Sequence, residues 1–485
     1  MQKNLLLLAL SLLSLTAARA QQYEIRVKMD GVRDSDIYLG YSYEDMRYVV
    51  DTATPDKHGN AIFSKNKKLE RGVYFITTPE KNFFELLIGD NQNFSVSTDR
   101  SNLFDKLKFE NSPENQQFLD YQKYLRDMQH TANIIKEKKK YNEAGKKDSV
   151  AMYQKLLEEV DSSVNAYINN VIEKNRDNFL GTLLGSLQQV EAPKRDMHIP
   201  ESVANKDSVR QLRDYEYRRD HYFDNVNLAD NGLIRTPFFK SKLDFFFHKM
   251  IVPAADTIIK YADLLIERAR ADEEMFRYIT EYFFQYYQKS EIVGHDAVVV
   301  HLADEYYLSG LAPWVNEEYK GKIKERADKM RPNLIGKVAP ELLLQTSENA
   351  YVSLRKTPAQ FTIIAFWEPN CGHCKKEIPQ LWTLYEKWRD SDVIVFAIYT
   401  QYKRAEWDTY LKEHPYDWIN AWDGVEGNDE QGKPTTFSLG TNFRTLYDVY
   451  STPTLYLLDK NKKIIAKRIS IETLEKILEE EMKKK

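Results

Sequence analysis

From Gln21 to about Leu107 apolar and polar residues alternate in short runs, as in Tyr23-Glu24-Ile25-Arg26-Val27, Val73-Tyr74-Phe75-Ile76 and Phe94-Ser95-Val96-Ser97. A period of two is that of a strand with one buried face. Gly31, the turn Asp56-Lys57-His58-Gly59-Asn60, Gly72 and Gly89-Asp90-Asn91 punctuate the runs. The pattern predicts an antiparallel all-β domain of sandwich type. Asp51 and His58 are the only tempting site residues in it, and beside a turn they read as turn formers.

At Asn111-Ser112-Pro113-Glu114 the period changes, with Ser112 placed to cap a helix and Pro113 at its first position. Helical spacing then dominates to about Arg331. Phe118, Tyr121, Leu125 and Met128 fall on one face, and so do Met152, Leu156, Val160, Val164 and Ile168. The charged stretch Lys136 to Lys147 reads as a solvated turn between two long helices. The aromatic runs Phe238 to His248 and Tyr282 to Tyr287 read as packing between helices. His295, His301 and Glu305 are of metal-ligating type, but no third ligand stands beside the His301/Glu305 pair, so structural roles are expected and no metal site.

Pro332 to Pro340 reads as a linker, after which strands and helices alternate. A β-rich stretch, Leu342 to Leu354, is followed by the strand Phe361 to Trp367, a helix to about Arg389 and the continuous apolar run Val393 to Ile398. Such a run suits a central strand buried on both faces. A helix from about Arg404 to Glu413, a strand at Trp418 to Trp422, a polar loop, a helix near Arg444 to Tyr447, the hairpin Thr454–Leu458/Ile464–Ile469 and a charged helix complete the order. This is a mixed sheet with helices on both faces. The predicted chain is multidomain: residues 1–20 a leader, 21–110 β, 111–331 helical and 332–485 α/β.

At 485 residues with 42% apolar and 29% charged residues, the chain has the composition of a folded protein of several domains. Lys and Arg total 69 against 73 Asp and Glu, so no basic surplus points to nucleic acid. Met1 to Ala20 has the form of a secretory signal peptide: Lys3, an apolar run from Leu5 to about Leu15, and Ala18-Arg19-Ala20 as the cleavage box. The run is shorter than the ~20 residues of a membrane span. Gln21-Gln22, with no cysteine, follow the cleavage box. The expectation is an exported, soluble, periplasmic protein with no stable membrane anchor.

Export gives meaning to the cysteine count. Only Cys371 and Cys374 are present, in Phe366-Trp367-Glu368-Pro369-Asn370-Cys371-Gly372-His373-Cys374-Lys375-Lys376-Glu377. No cysteines are left over for stabilising cross-links. Two thiols at this spacing on a first helical turn close into a disulfide and reopen under thiolate attack. Cys371, where the strand gives way to a helix start, sits among unpaired N–H groups that favour a thiolate, which makes it the nucleophile. Cys374, one turn in, is suited to resolve the mixed disulfide. His373, when protonated, stabilises the thiolate further; Lys375 and Lys376 act in the same sense or are plain solvated charges. Glu377 is either the carboxylate that takes the Cys374 proton or a simple surface acid. Pro379 should bend the helix.

Taken together, Trp367-x-Pro-x-Cys371-Gly-His-Cys374-Lys-Lys-Glu377-Ile-Pro379 and the later Ser451-Thr452-Pro453-Thr454 resemble the thioredoxin superfamily, and within it the exported TlpA-like branch. The resemblance covers about Ile335 to Lys485. It implies a thioredoxin-like fold and a cis Pro453 that faces the disulfide. It also implies that Trp367, Thr452 and Pro453 form a substrate-binding surface and that Glu377 tunes the thiols. Asn370 stands where the family often has tryptophan, and Gly424 to Thr441 looks like a polar insertion that covers or borders the site. The preceding segments are similar to β and helical modules of unknown function found before such domains.

The expected function is thiol-disulfide exchange with protein thiols, with the Cys371–Cys374 pair as the redox group, no other cofactor, and an unidentified redox partner protein. Two alternatives accompany it. A thiol peroxidase would carry Pro and Thr where this chain has Ile364 and Glu368. A non-enzymatic scaffold would use the thioredoxin-like part only to present its other domains.

Overall fold

The computed structural model describes residues 23–78, 80–142, 147–193 and 205–484. The leader read at Met1 to Ala20 lies outside the described residues. The chain divides into two compact units, Met1–Val252 with Leu264–Tyr278, and Pro253–Asp263 with Ile279–Lys485.

In the first unit eight strands form two sheets. They are β1 (Tyr23–Asp30), β2 (Ile37–Tyr43), β3 (Met46–Ala53), β4 (Asn60–Lys65), β5 (Gly72–Thr77), β6 (Phe83–Ile88), β7 (Asn93–Asp99) and β8 (Lys108–Glu110). The sheet orders are β4-β1-β7-β8 and β3-β2-β5-β6. Tyr23, Ile25, Val27 and Met29 alternate inward from β1 and share one core with Leu39, Ile76 and Leu86 of the other sheet. Each such side chain removed from water stabilises the sandwich by roughly 1.5–3 kcal/mol. One pairing departs from the antiparallel expectation: β1 and β7 run parallel, with Ile25 opposite Phe94. The whole second sheet lies between them in sequence, so no hairpin dictates their direction. Asp51 accepts from the Tyr23 hydroxyl at 2.6 Å and pairs with Lys65 at 3.2 Å, while His58 lies in the turn.

The helix Pro113–Asn142 starts where Ser112 and Pro113 place it, the Gln116 N–H donating to the Ser112 carbonyl at 3.0 Å. Asn115 locks this start to β6, accepting from Leu87 N–H at 2.6 Å and donating to Leu87 O at 2.8 Å. The next helix, Lys147–Lys174, packs on it through the stacked rings of Tyr124 and Tyr167, 3.9 Å between centroids. Phe118 and Tyr121 are buried as their spacing predicts, but Met152 and Leu156 are 52% and 36% exposed. Of the stretch expected to be a solvated turn, residues 136–142 are helical and 143–146 lie outside the described residues.

The second unit joins helical segments to the α/β sheet. His301 meets both carboxylate oxygens of Asp263 at 2.8 and 2.9 Å, and His295 lies between Ser290 Oγ at 2.8 Å and the Pro253 carbonyl at 3.2 Å. Among the described residues no group of three His, Cys, Asp or Glu side chains is set to hold a metal ion.

The sheet contains β9 (Leu343–Thr346), β10 (Tyr351–Ser353), β11 (Phe361–Trp367), β12 (Val393–Tyr399), β13 (Ile419–Trp422), β16 (Thr454–Leu458) and β17 (Ile464–Lys467) in the order β10-β9-β13-β12-β11-β16-β17. The polar insertion forms a separate hairpin, β14 (Gly424–Asn428) with β15 (Pro434–Ser438). Every residue of β11 is buried, as a central strand flanked by parallel β12 and antiparallel β16 requires. Its alternate residues feed two cores, Ile363, Ala365 and Trp367 on one face, Ile364 and Phe366 on the other.

Pro332 to Pro340 is not the free linker its composition predicts. Gly336 and Ala339 donate to Ile464 O and Lys462 O, both at 2.8 Å, and Ile464 donates to Lys337 O at 2.9 Å. The segment thus pairs with groups that the edge strand β17 would otherwise leave open. The buried Lys467 ammonium donates to Asn333 O at 2.7 Å and Asn333 Oδ1 at 2.6 Å and pairs with Asp296. Arg326, on the helix Glu317–Met330, holds both oxygens of Asp448 at 3.0 Å.

Candidate active site

The register of β11 against β16, with Phe366 opposite Thr454, brings both chains out of the sheet at one end. There the residues after Trp367 meet the loop Ser451–Pro453, whose Thr452–Pro453 peptide bond is cis.

Cys371 lies just before the helix Cys374–Trp388, whose N-cap is His373. Its carbonyl accepts from Lys375 N–H at 3.1 Å, and its sulfur accepts from Cys374 N–H at 3.3 Å. The sulfur thus takes one of the orphan N–H groups of the first turn, and the N–H dipoles there favour an anion. The Cys371 thiol also donates to the Thr452 carbonyl at 3.1 Å. Cys371 is half-buried and Cys374 buried, and both are free thiols.

The two sulfurs titrate apart. Burial pushes Cys371 up, but its polar surroundings at the helix start, Thr452, Cys374 and the backbone N–H groups of Cys374 and His373, outweigh it, leaving the thiol below its usual value. Burial and the hydrogen bond with Cys371 push Cys374 up to about 12, against smaller opposing contributions from the Glu368 backbone and the Thr452 side chain. One thiol is held ready to ionise and its neighbour is held protonated.

The sequence-predicted residues fall into two groups. Cys371, Cys374, Thr452 and Pro453 come together. His373 is exposed between the cysteines, and Glu377 is half-buried on the first turn with no side-chain hydrogen bond to either sulfur among the described residues. Trp367 needs correction as a substrate contact. It is fully buried, with its ring 5.0 Å from that of Tyr410. The inward register of β11 sends it into the core, where it supports the site from beneath.

Two features escaped the sequence reading. The Thr452 hydroxyl donates to the Glu368 carboxylate at 3.2 Å, and Asn370 donates to Glu406 at 2.7 Å across the gap to the helix Arg404–Glu413. Their only signal was polar side chains in the segment between strand and cysteines. Asn370, Lys375, Pro379, Glu406, Tyr410 and His414 line a hollow of about 770 Å³ beside Cys371. Glu406 also lines an adjacent hollow of about 640 Å³ against Glu426, Asn428 and Thr435 of the inserted hairpin, so the insertion borders this region. No helix among the described residues is long and apolar enough to cross a membrane.

Residues 335–467 match the model of the AhpC/TSA family, 188–333 that of a domain of unknown function (DUF5106) and 23–118 that of another (DUF4369). The thiol-disulfide oxidoreductase ResA of Bacillus cereus is 25% identical over 143 residues, 30% of this chain and 74% of that protein. The protein of the same name from Bacillus anthracis is 28% identical over 143 residues, with the same shares. Among solved structures, a domain of a possible thiol-disulfide isomerase from Cytophaga hutchinsonii is 36% identical, matched over 31% of this chain and 97% of its own length with a TM-score of 0.27.

Proposed function

Taking as premise that the C-terminal domain of this chain belongs to the thioredoxin-like AhpC/TSA family, we propose that the protein is a thiol-disulfide oxidoreductase that exchanges its Cys371–Cys374 pair with protein thiols and disulfides. The observation that carries this reading is the asymmetry of the two sulfurs around one helix start. Cys371, half-buried and low in pKa, attacks a substrate disulfide as the thiolate. Cys374, buried and protonated, waits until the mixed disulfide has formed and then displaces the substrate sulfur.

The other roles follow from position. Thr452 and Pro453, half-buried beside Cys371, offer backbone to an extended substrate segment. His373, when protonated, adds positive charge beside the Cys371 thiolate. The pair is its own redox group, so the reaction uses no further cofactor, and a redox partner protein resets it. The leader read at Met1 to Ala20 supports action outside the cytoplasm, in the periplasm, in keeping with a role in redox homeostasis there.

The full-length protein is expected to speed the reduction of insulin disulfides by dithiothreitol, and Cys371→Ser is expected to fall to the uncatalysed rate. Undiminished catalysis by Cys371→Ser would remove the basis of the reading.

A further inference from the structure

The helical part of the first unit contains a hollow that the cysteine chemistry does not use. Its apolar walls come from Leu187 at the end of the helix Phe179–Leu187, Val190 just beyond it, Tyr222, Phe245 at the end of the helix Phe239–Phe245, and Met250, around a space of about 340 Å³. Leu187 and Phe245 are 45% and 53% exposed, so the walls continue to the surface as an apolar rim. Packing holds this shape. The Tyr222 ring stacks on that of Phe245 at 6.1 Å and lies 5.2 Å from the buried ring of Phe246. The π-helical turn Phe246–Met250, closed by Ile251 N–H on Phe246 O at 3.1 Å, ends at Met250, whose carbonyl accepts from the Tyr215 hydroxyl at 2.7 Å.

Two cations line the hollow, and they differ. Arg218, on the helix Lys206–Asp220, has Nε 2.8 Å from Asp214, so its charge is offset. Lys242 makes no hydrogen bond or ion pair with any described residue, and its ammonium sits 4.5 Å from the centre of the Tyr222 ring. The acid nearest it along the helix is taken, Asp244 pairing with Lys240 at 2.9 Å. Burial holds the Lys242 ammonium below its usual value with no carboxylate opposing the effect. An ammonium drawn out of water without a counter-ion is unfavourable, and a ring face offsets only part of that cost.

We propose that this hollow binds a small amphipathic anion, an alkyl carboxylate whose chain lies against Leu187, Phe245 and Met250 and whose carboxylate meets the Lys242 ammonium. The apolar walls select the chain, and the one uncompensated cation selects a single negative charge. A cationic ligand finds no free carboxylate there and meets two positive side chains. The volume is at the lower end of the ~300–1,000 Å³ of small-ligand sites, which limits the chain to medium length. Binding makes and breaks no covalent bond and uses neither cysteine.

Isothermal titration of the full-length protein with decanoate and with decanol separates the charge from the apolar contact. Decanoate is expected to bind saturably, and decanol, with the same chain and no charge, about tenfold more weakly or worse. Lys242→Met keeps the apolar stem and removes the charge. It should lower decanoate affinity by about tenfold or more and leave decanol unchanged, while Lys242→Arg should retain most of the decanoate affinity. Phe245→Ser, at an exposed position, should weaken both ligands. An unchanged circular dichroism spectrum and Tm show that a variant is folded, and the comparison of the two ligands on the unaltered protein needs no variant. The proposal is overturned if decanoate shows no saturable binding, if decanoate and decanol bind alike, or if folded Lys242→Met binds decanoate as tightly as the unaltered protein. Cys371→Ser should bind decanoate as the unaltered protein does, so the outcome is independent of the exchange reading.

Discussion

Selective alkylation exposes the inequality of the two thiols. With Cys374 at about 12 and an ordinary thiol at about 8.5, Cys374 carries on the order of 3,000-fold less thiolate at neutral pH than even an unperturbed cysteine. A thiol of higher pKa is intrinsically the better nucleophile, and a Brønsted slope of ~0.4–0.5 returns a factor of roughly 25–55. The net preference is about a hundredfold for Cys371, and its own depressed pKa and greater exposure add to it. Reduced protein treated with less than one equivalent of iodoacetamide should therefore carry its first adduct on Cys371, with fragment ions between the two positions assigning the site. The rate of that labelling should fall with a midpoint below that of an ordinary thiol as the pH is lowered. Comparable labelling of both cysteines, or Cys374 first, would refute the titration order.

Two further outcomes test how the unit around the site is held. Asp448→Ala removes the partner of Arg326 and Arg468 four residues before Thr452 and should cost about 2–3 kcal/mol in denaturant unfolding, less than a fully buried network because both arginines reach solvent; a loss under about 0.5 kcal/mol would make the clamp irrelevant. Asp263 raises the pKa of His301 by its hydrogen bond, against burial. A raised folded pKa means stability present below the unfolded imidazole value of about 6.5 and lost as pH rises through the folded value; His301→Gln should thus flatten the change in Tm across that window, and an unchanged slope would contradict the assignment.

How much was legible in the sequence depended on how local the cause was. The strand Phe361–Trp367 and the helix Arg404–Glu413 were readable residue by residue, because an unbroken apolar run and a helical period each specify their own element. The cysteine spacing and Thr452-Pro453 likewise pointed to the place where Cys371 and Thr452 meet. Long-range causes were hidden. The parallel pairing of β1 with β7 depends on a crossover through a second sheet, and Pro332 to Pro340 looked like a linker because its pairing partner is the distant edge strand β17. Trp367 was misplaced on the substrate face because a motif position does not say which way a strand residue points. Glu368 was seen only as the residue that breaks a peroxidase pattern; its hydrogen bond to Thr452 spans the gap between two loops and has no local signature.

Trapping tests the division of labour between the cysteines most directly. Full-length Cys374→Ser, mixed with a disulfide-bearing protein, is expected to accumulate a reductant-sensitive covalent complex through Cys371, while Cys371→Ser forms none. A complex that forms equally well through Cys374 in Cys371→Ser, or no complex with Cys374→Ser at all, would contradict the assignment of Cys371 as the attacking sulfur.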